Sequence, residues 1–233
     1  MPADPPGPLL AAGRDCEIYA VGNGRVLRRA RDGRSLDREA AIIRHVREHG
    51  YPAPEVFDAR GPDLVMERIS GPNLFDDAAG RPWRLRSNAR VLAGLHQRLA
   101  TIPVPDWLPA AEGIPGDAVL HLDLHPLNVL VSRHGPKVID WTNAARGAAG
   151  AEIATTWLLM AAATLPETRI PRRVLEAARR RFLRSFLDAA GRDAARPWLA
   201  AVVELRTRDP HIDPAELDRM RRLATRERRP PTP

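Results

Sequence analysis

Residues 121–130 read His-Leu-Asp-Leu-His-Pro-Leu-Asn-Val-Leu, and a further carboxylate follows in Val138-Ile139-Asp140-Trp141. A loop Asp, an Asn shortly after it and an Asp behind a short hairpin are the parts that phosphoryl transfer asks of a protein. That reaction needs little covalent work. It needs a carboxylate to orient the attacking hydroxyl, and oxygen ligands that hold magnesium on nucleotide phosphates. Magnesium prefers hard oxygen donors and keeps part of its water shell, so one amide and one carboxylate are a reasonable protein share. The stretch admits a second chemistry, a metal-dependent hydrolase using His121, Asp123 and His125. Imidazoles four residues apart share a zinc when they ride a helix. Pro126 directly after His125 and the strand-like runs on either side oppose a helix, and no Glu stands beside the first His.

Elements must hold these groups in place. Short apolar runs predict a strand near 118–120 leading into the loop, then a hairpin over 129–132 and 136–139 turned at His134-Gly135. Upstream, strands are predicted over 16–21 and 25–30, joined by Gly22-Asn23-Gly24, whose residues accept the positive backbone angles of a hairpin turn. A helix follows over 36–49. Ser35 can cap it, Leu36, Ala40, Ile43 and Val46 fall at helical spacing, and Gly50 stops it. Two more strands are predicted over 55–58 and 64–68 before Gly71-Pro72 breaks the pattern. Beyond that point helices dominate: 87–101, a buried apolar stretch from Trp157, a stripe of Val174, Ala178, Phe182 and Phe186, and a last helix from Pro214.

The fold class expected is therefore α+β in two lobes. Residues 13–70 form a small antiparallel sheet lobe with one helix. Residues 71–229 form a larger, mainly helical lobe carrying the loop 121–128 and Asp140. A loose, proline-rich lead-in occupies 1–12 and a tail 230–233. A cleft between two lobes is a good place for a ligand.

The totals set bounds. A chain of 233 residues with 44% hydrophobic residues can bury a sizeable core, and its one cysteine, Cys16, excludes a disulfide framework within the chain. A lone cysteine suits a reducing cytoplasm. No signal peptide is read at the N-terminus, and the apolar stretch at 157–165 is too short to span a bilayer. The net charge of +7 invites nucleic-acid binding. Its origin argues otherwise: Lys137 is the only lysine among 36 basic residues, which points to coding bias. The excess also sits after residue 150, away from the loop, and Arg179-Arg180-Arg181 has the look of a solvated helix face.

The loop and Asp140 resemble the catalytic and metal-binding segments of the aminoglycoside phosphotransferase and choline kinase-like family, relatives of the protein kinases. The resemblance implies a protein kinase-like fold and a bacterial ATP-dependent kinase of small hydroxylated molecules. It implies Asp123 as catalytic base, Asn128 and Asp140 as Mg2+ ligands, and His121, His125 and Glu152 as supports of the loop. In the first lobe it implies a phosphate-covering turn at Gly13, adenine contacts from the backbone of Glu67 to Ile69, and Glu39 paired with a phosphate-binding cation. Departures are visible. The first lobe has no lysine, so Arg28 or Arg29 stands in for it, the resemblance favouring Arg28 for the phosphates, with a bulkier, two-pronged grip. Leu122 and Leu127 replace usual glycines, and Glu152 stands for a usual Asp. The missing lysine admits a nucleotide-binding pseudokinase as an alternative. Trp157, Trp198 and Arg206 are candidates for shaping an acceptor pocket, and Glu152, Glu204 and Asp209 are acids that could line it. The positive second half of the helical lobe favours a neutral or anionic acceptor over a polycation.

Overall fold

A computed structural model describes residues 7–164, 171–209 and 212–228. The first six residues and the tail assigned to 230–233 lie outside the described residues. Five strands, β1 (Leu9–Ala12), β2 (Cys16–Ala20), β3 (Arg25–Ala30), β4 (Val56–Arg60) and β5 (Asp63–Glu67), make one antiparallel sheet in the order β1-β2-β3-β5-β4. The helix α1 (Asp37–Glu48) falls between β3 and β4 in the chain. Later elements are α2 (Leu74–Gly80), α3 (Leu85–Leu99), β6 (Ala118–Leu120), β7 (Val129–Ser132), β8 (Gly135–Val138) and β9 (Ala145–Gly147). They are followed by α4 (Ala149–Ala162), α5 (Arg172–Ala190), α6 (Arg192–Ala195), α7 (Leu199–Arg206) and α8 (Pro214–Glu227). The architecture is α+β, an antiparallel sheet followed by a helical part.

The lead-in ends sooner than residue 12. Leu9 to Ala12 pair with Tyr19 to Glu17 and form the sheet's edge. All four residues are exposed, so no alternating pattern marks them; backbone pairing alone makes the strand. The stripe on α5 also holds only in part: Phe182, Phe186 and Leu187 are buried, whereas Val174 is 49% exposed. Helix α1 turns Ala40, Ile42, Ile43 and Val46 inward. Each large apolar side chain so buried contributes roughly 1.5–3 kcal/mol. Ser35 acts just before the helix, its Oγ accepting the Asp37 N–H at 3.0 Å.

The segment after β5 is stitched to the hairpin β7–β8. Val131 N–H donates to the Pro72 carbonyl at 2.7 Å, and Asn73 pairs with Leu130. Gly71 sits at φ +149°, and a Cβ there would lie 2.0 Å from the Val131 carbonyl oxygen. No side chain fits in that space. Gly71→Ala is expected to cost more than about 3 kcal/mol, from backbone strain and overpacking together. A urea melt, or loss of soluble protein, reads the effect; a wild-type midpoint would mean the junction yields.

None of the described helices is long and apolar enough to cross a membrane.

Candidate active site

Short β6, paired antiparallel with β9, delivers the chain into the loop that starts at His121. The loop closes on a 3-10 turn at Pro126–Asn128, then runs straight into β7. The β7–β8 hairpin returns the chain beside its own start, where Ile139 N–H donates to the Asn128 carbonyl at 3.0 Å. Asn128 and Asp140 thereby become neighbours although twelve positions apart in sequence.

Asp123 lies beside both. Asn128 Nδ2 donates to the Asp123 carbonyl at 2.9 Å and to its Oδ2 at 3.0 Å. His125 Nε2 stands 3.6 Å from the same Oδ2. Burial pushes the Asp123 carboxyl up, but His125, His121 and Arg206 together hold it below the ordinary aspartate range. His121 is fully buried and braces the loop through both ring nitrogens. Its Nδ1 accepts the Asp123 N–H at 3.2 Å and its Nε2 donates to the Ile139 carbonyl at 3.0 Å. That pattern sets the neutral Nε2–H tautomer, consistent with the downward push of burial on the ring. Neither nitrogen is left for a zinc ion, which removes the hydrolase alternative built on His121.

Arg28 connects the sheet to Asp140. Its Nη1 is 3.3 Å from Glu39 Oε1, and its Nη2 donates to Asp140 Oδ1 at 2.8 Å. Both Arg28 and Glu39 are buried. Burial alone would lower the guanidinium, but Glu39 and Asp140 more than offset it and raise it. Burial pushes Asp140 up and Arg28 outweighs that, leaving the carboxyl below its usual range. Glu39 goes the other way, raised by burial despite Arg28. Arg29 points elsewhere, into a two-pronged bond with Asp63 at 2.6 Å on each arm. Of the two arginines, therefore, Arg28 faces Glu39 and Asp140.

Sequence reasoning missed Thr142. Its Oγ1 lies 3.0 Å from Glu39 Oε2, 3.1 Å from Asp140 Oδ1 and 3.0 Å from Arg28 Nη2. One hydroxyl proton serves two carboxylates while the oxygen accepts from Arg28. Its place two residues past Asp140 was the available signal. Thr156 was missed as well; its Oγ1 donates to the Leu124 carbonyl at 2.5 Å. It stands four residues after Glu152 on α4, and that spacing puts both side chains on one helix face.

Glu152 Oε2 accepts the Leu122 N–H at 2.8 Å. Leu122 sits at φ +61°, the left-handed region that glycine takes freely. The Glu152 bond and the burial of the Leu122 side chain hold the turn that a glycine would otherwise make. Burial pushes the Glu152 carboxyl up to about 7, with the Leu122 N–H opposing. An acid whose folded pKa lies above its unfolded value loses stability as pH rises between the two. Glu152 therefore favours folding fully below pH 4.5 and loses that advantage by about pH 7. His96, pushed down by burial to about 3, works in the opposite sense and costs stability as pH falls below 6.5. Comparison with Glu152→Gln isolates the first effect. The variant is expected to gain about 3 kcal/mol relative to wild type between pH 4.5 and 8. Urea melts at both pH values measure it, and a constant difference would refute the assignment.

Other residues lie further out. Gly13 closes the β1–β2 turn, its N–H donating to the Cys16 carbonyl at 2.9 Å. Cys16, at the foot of that turn, has its thiol raised by burial, with Arg28 as the opposing neighbour. Glu67 ends β5 with its N–H bonded to the Glu55 carbonyl at 2.8 Å. Its side chain is engaged too, Lys137 Nζ lying 3.5 Å from Oε2. Ile69 follows in the irregular stretch beyond β5, half-buried. Trp157 is buried under Arg192, whose guanidinium lies 4.6 Å from the ring centre. Trp198 packs against Gly150 at the start of α4. Both tryptophans serve packing, while Arg206 acts on Asp123.

The magnesium ligands that the resemblance implies fit the donor set. Asn128 spends its Nδ2 on Asp123, which leaves the amide oxygen. Asp140 Oδ1 takes Arg28 and Thr142, which leaves Oδ2 on a side chain that is 40% exposed. These are two hard oxygens of the kind magnesium prefers.

The phosphotransferase enzyme family matches the chain over residues 8–114 and 111–202. The chain belongs to that family. By class this phosphotransferase is a small-molecule kinase. No curated relative matches its sequence. Among solved structures it is similar to a thermostable mutant of an aminoglycoside phosphotransferase in a ternary complex with AMP-PNP and hygromycin B. The TM-score is 0.63 at 16% identity, covering 94% of this chain and 92% of that one. A second aminoglycoside phosphotransferase, in a ternary complex with streptomycin and ATP, aligns with TM-score 0.61 at 12% identity, covering 94% and 90%. A choline/ethanolamine kinase family protein from Mesorhizobium loti aligns with TM-score 0.55 at 14% identity, covering 97% and 89%. These likenesses establish the kinase-like fold of the phosphotransferase.

Proposed function

We propose that this phosphotransferase moves the γ-phosphate of ATP to a hydroxyl of a small acceptor, with Asp123 as base and Asn128 and Asp140 as magnesium ligands. The observation that carries this is the meeting of those three side chains with Arg28 where the sheet meets the hairpin β7–β8. Residues 13–70 serve as the nucleotide lobe and 71–229 as the acceptor lobe. Adenine lies against the backbone of Glu67 to Ile69, with the phosphates beneath the Gly13 turn. Arg28, held by Glu39, donates to the non-transferred phosphates. Magnesium on Asn128 and Asp140 would offset charge on the β- and γ-phosphates. Asp123 stays ionised and offers Oδ1 to the acceptor hydroxyl, because Oδ2 already faces Asn128 and His125. The site is expected to work in the cytoplasm, where ATP is available.

A weakly active nucleotide binder is the competing reading, favoured by one observation. Arg28 already pairs with Asp140 through Oδ1, which offsets part of the carboxylate charge that a magnesium ligand supplies. Thermal shift with Mg-ATP, followed by ATP consumption over a library of hydroxylated metabolites, separates the two. A shift of several degrees that depends on magnesium, and turnover with at least one acceptor, is expected. A shift with no turnover on any acceptor favours the binder, and no shift at all ends both.

A further inference from the structure

Two independent ties bring the end of α7 towards the loop. Helix α4 backs the loop directly, Glu152 holding Leu122 and Thr156 holding Leu124, and α7 packs along α4. From the other side, Arg208 just past α7 pairs with Glu112. Glu112 belongs to the stretch that is bonded to β9, Ala111 N–H donating to the Arg146 carbonyl at 2.8 Å. Strand β9 in turn pairs with β6, which leads into His121. Arg206, the last residue of α7, sits between these ties, and its charge is one of those that hold Asp123 ionised.

Among the described residues the Arg206 guanidinium is offset by the charge of Asp123 and by no hydrogen-bonded acid. Its Nε is buried without an acceptor, and among the described residues it forms no ion pair. Two acids on this side are committed elsewhere, Glu152 buried under the loop and Glu112 taken by Arg208, while Glu204 lies on the exposed side of α7. A half-buried arginine with no ion-pair partner beside the reacting carboxylate asks for an anion.

We infer that the acceptor of this phosphotransferase carries, besides its hydroxyl, a carboxylate or phosphate group that Arg206 binds. The inference rests on the kinase reading above and sets its acceptor apart from the antibiotics named in the similar structures. With the acceptor's anion on Arg206, its hydroxyl is presented to Asp123, and a cationic acceptor meets an unshielded guanidinium instead.

The test is titration calorimetry on the full chain loaded with Mg-AMP-PNP, using hydroxylated probes of similar size. Gluconate and other sugar acids supply the anions, sorbitol the neutral case, and glucosamine the cation. At least one sugar acid is expected to bind roughly tenfold or more tightly than sorbitol, with glucosamine weakest. Arg206→Gln should erase that preference while Mg-AMP-PNP affinity is unchanged, and Arg206→Lys should keep most of it, which excludes simple misfolding. Tighter binding of glucosamine, no binding of any sugar acid, or a preference that survives Arg206→Gln would overturn the inference and leave the kinase reading intact. Failure of Mg-AMP-PNP itself to bind would instead overturn the kinase reading, and the acceptor inference with it.

Discussion

Replacement of Asp123 by Asn is expected to lower turnover by about two to four powers of ten, the span associated with a positioned acid or base. Mg-ATP affinity should stay within about threefold of wild type, because Asp123 is assigned to the acceptor rather than to the nucleotide. Asn is the right substitution. Its amide oxygen can still accept from Asn128 Nδ2, which now bonds Oδ2 at 3.0 Å, so the loop keeps its shape. What is lost is the charge and the ability to take a proton. The surroundings of Asp123 hold its carboxyl low through His125, His121 and Arg206. Activity should therefore show no loss from protonation of Asp123 near neutral pH, and its fall on acidification should begin below the ordinary aspartate range. Steady-state kinetics of the variant, with ATP affinity measured separately, decides the matter. Near-wild-type turnover would remove Asp123 from its role.

The second large effect concerns Asp140→Ala, expected to weaken magnesium-dependent nucleotide binding by at least about a hundredfold. Two changes coincide there. One hard oxygen ligand disappears, and Arg28 loses the partner at 2.8 Å while keeping Glu39 at 3.3 Å. The retained Glu39 pair should leave the fold intact, since a buried guanidinium keeps one carboxylate. Asp140 also sits at φ +66°, a conformation that alanine tolerates less well than Asp or Asn. Asp140→Asn therefore serves as the control that keeps the backbone and removes only the charge. Both variants should lose the magnesium-dependent component of ATP binding in a thermal-shift titration. Unchanged affinity in either would place the metal elsewhere.

Much of the site was legible because its parts are local. The spacing from His121 through Asn128, and a hairpin short enough to return Asp140 beside Asn128, are readable along one stretch of chain. So was Glu39 on the inward side of α1, since a helical period fixes which side chains share a face. Contacts from distant residues were less visible. Alternation along β3 put Arg28 and Arg29 on opposite faces without saying which face was which. The answer came from Asp63, 34 positions away, taking Arg29. The strand Leu9–Ala12 had no signature because an exposed edge strand needs only backbone partners. Helix α2 was hidden by Gly71-Pro72, which marks a break. In the structure it is capped by Asn73, whose side chain accepts the Asp76 N–H at 2.8 Å. Leu122 in a left-handed turn ran against local preference, and the compensating Glu152 lies 30 residues on.

The Arg28 bridge has a mechanical consequence. One guanidinium grips Glu39 on α1 with one nitrogen and Asp140 behind the hairpin with another, so a single side chain fastens the sheet and its helix to the segment after β8. The Arg28–Glu39 half of the clasp is buried and only weakly screened by salt, whereas its Asp140 end is partly open to solvent. Spreading the two halves apart would strand a charge away from water. The sheet and the hairpin should accordingly move as one latched body, and the Arg28–Asp140 contact is the point that a bound nucleotide would have to share.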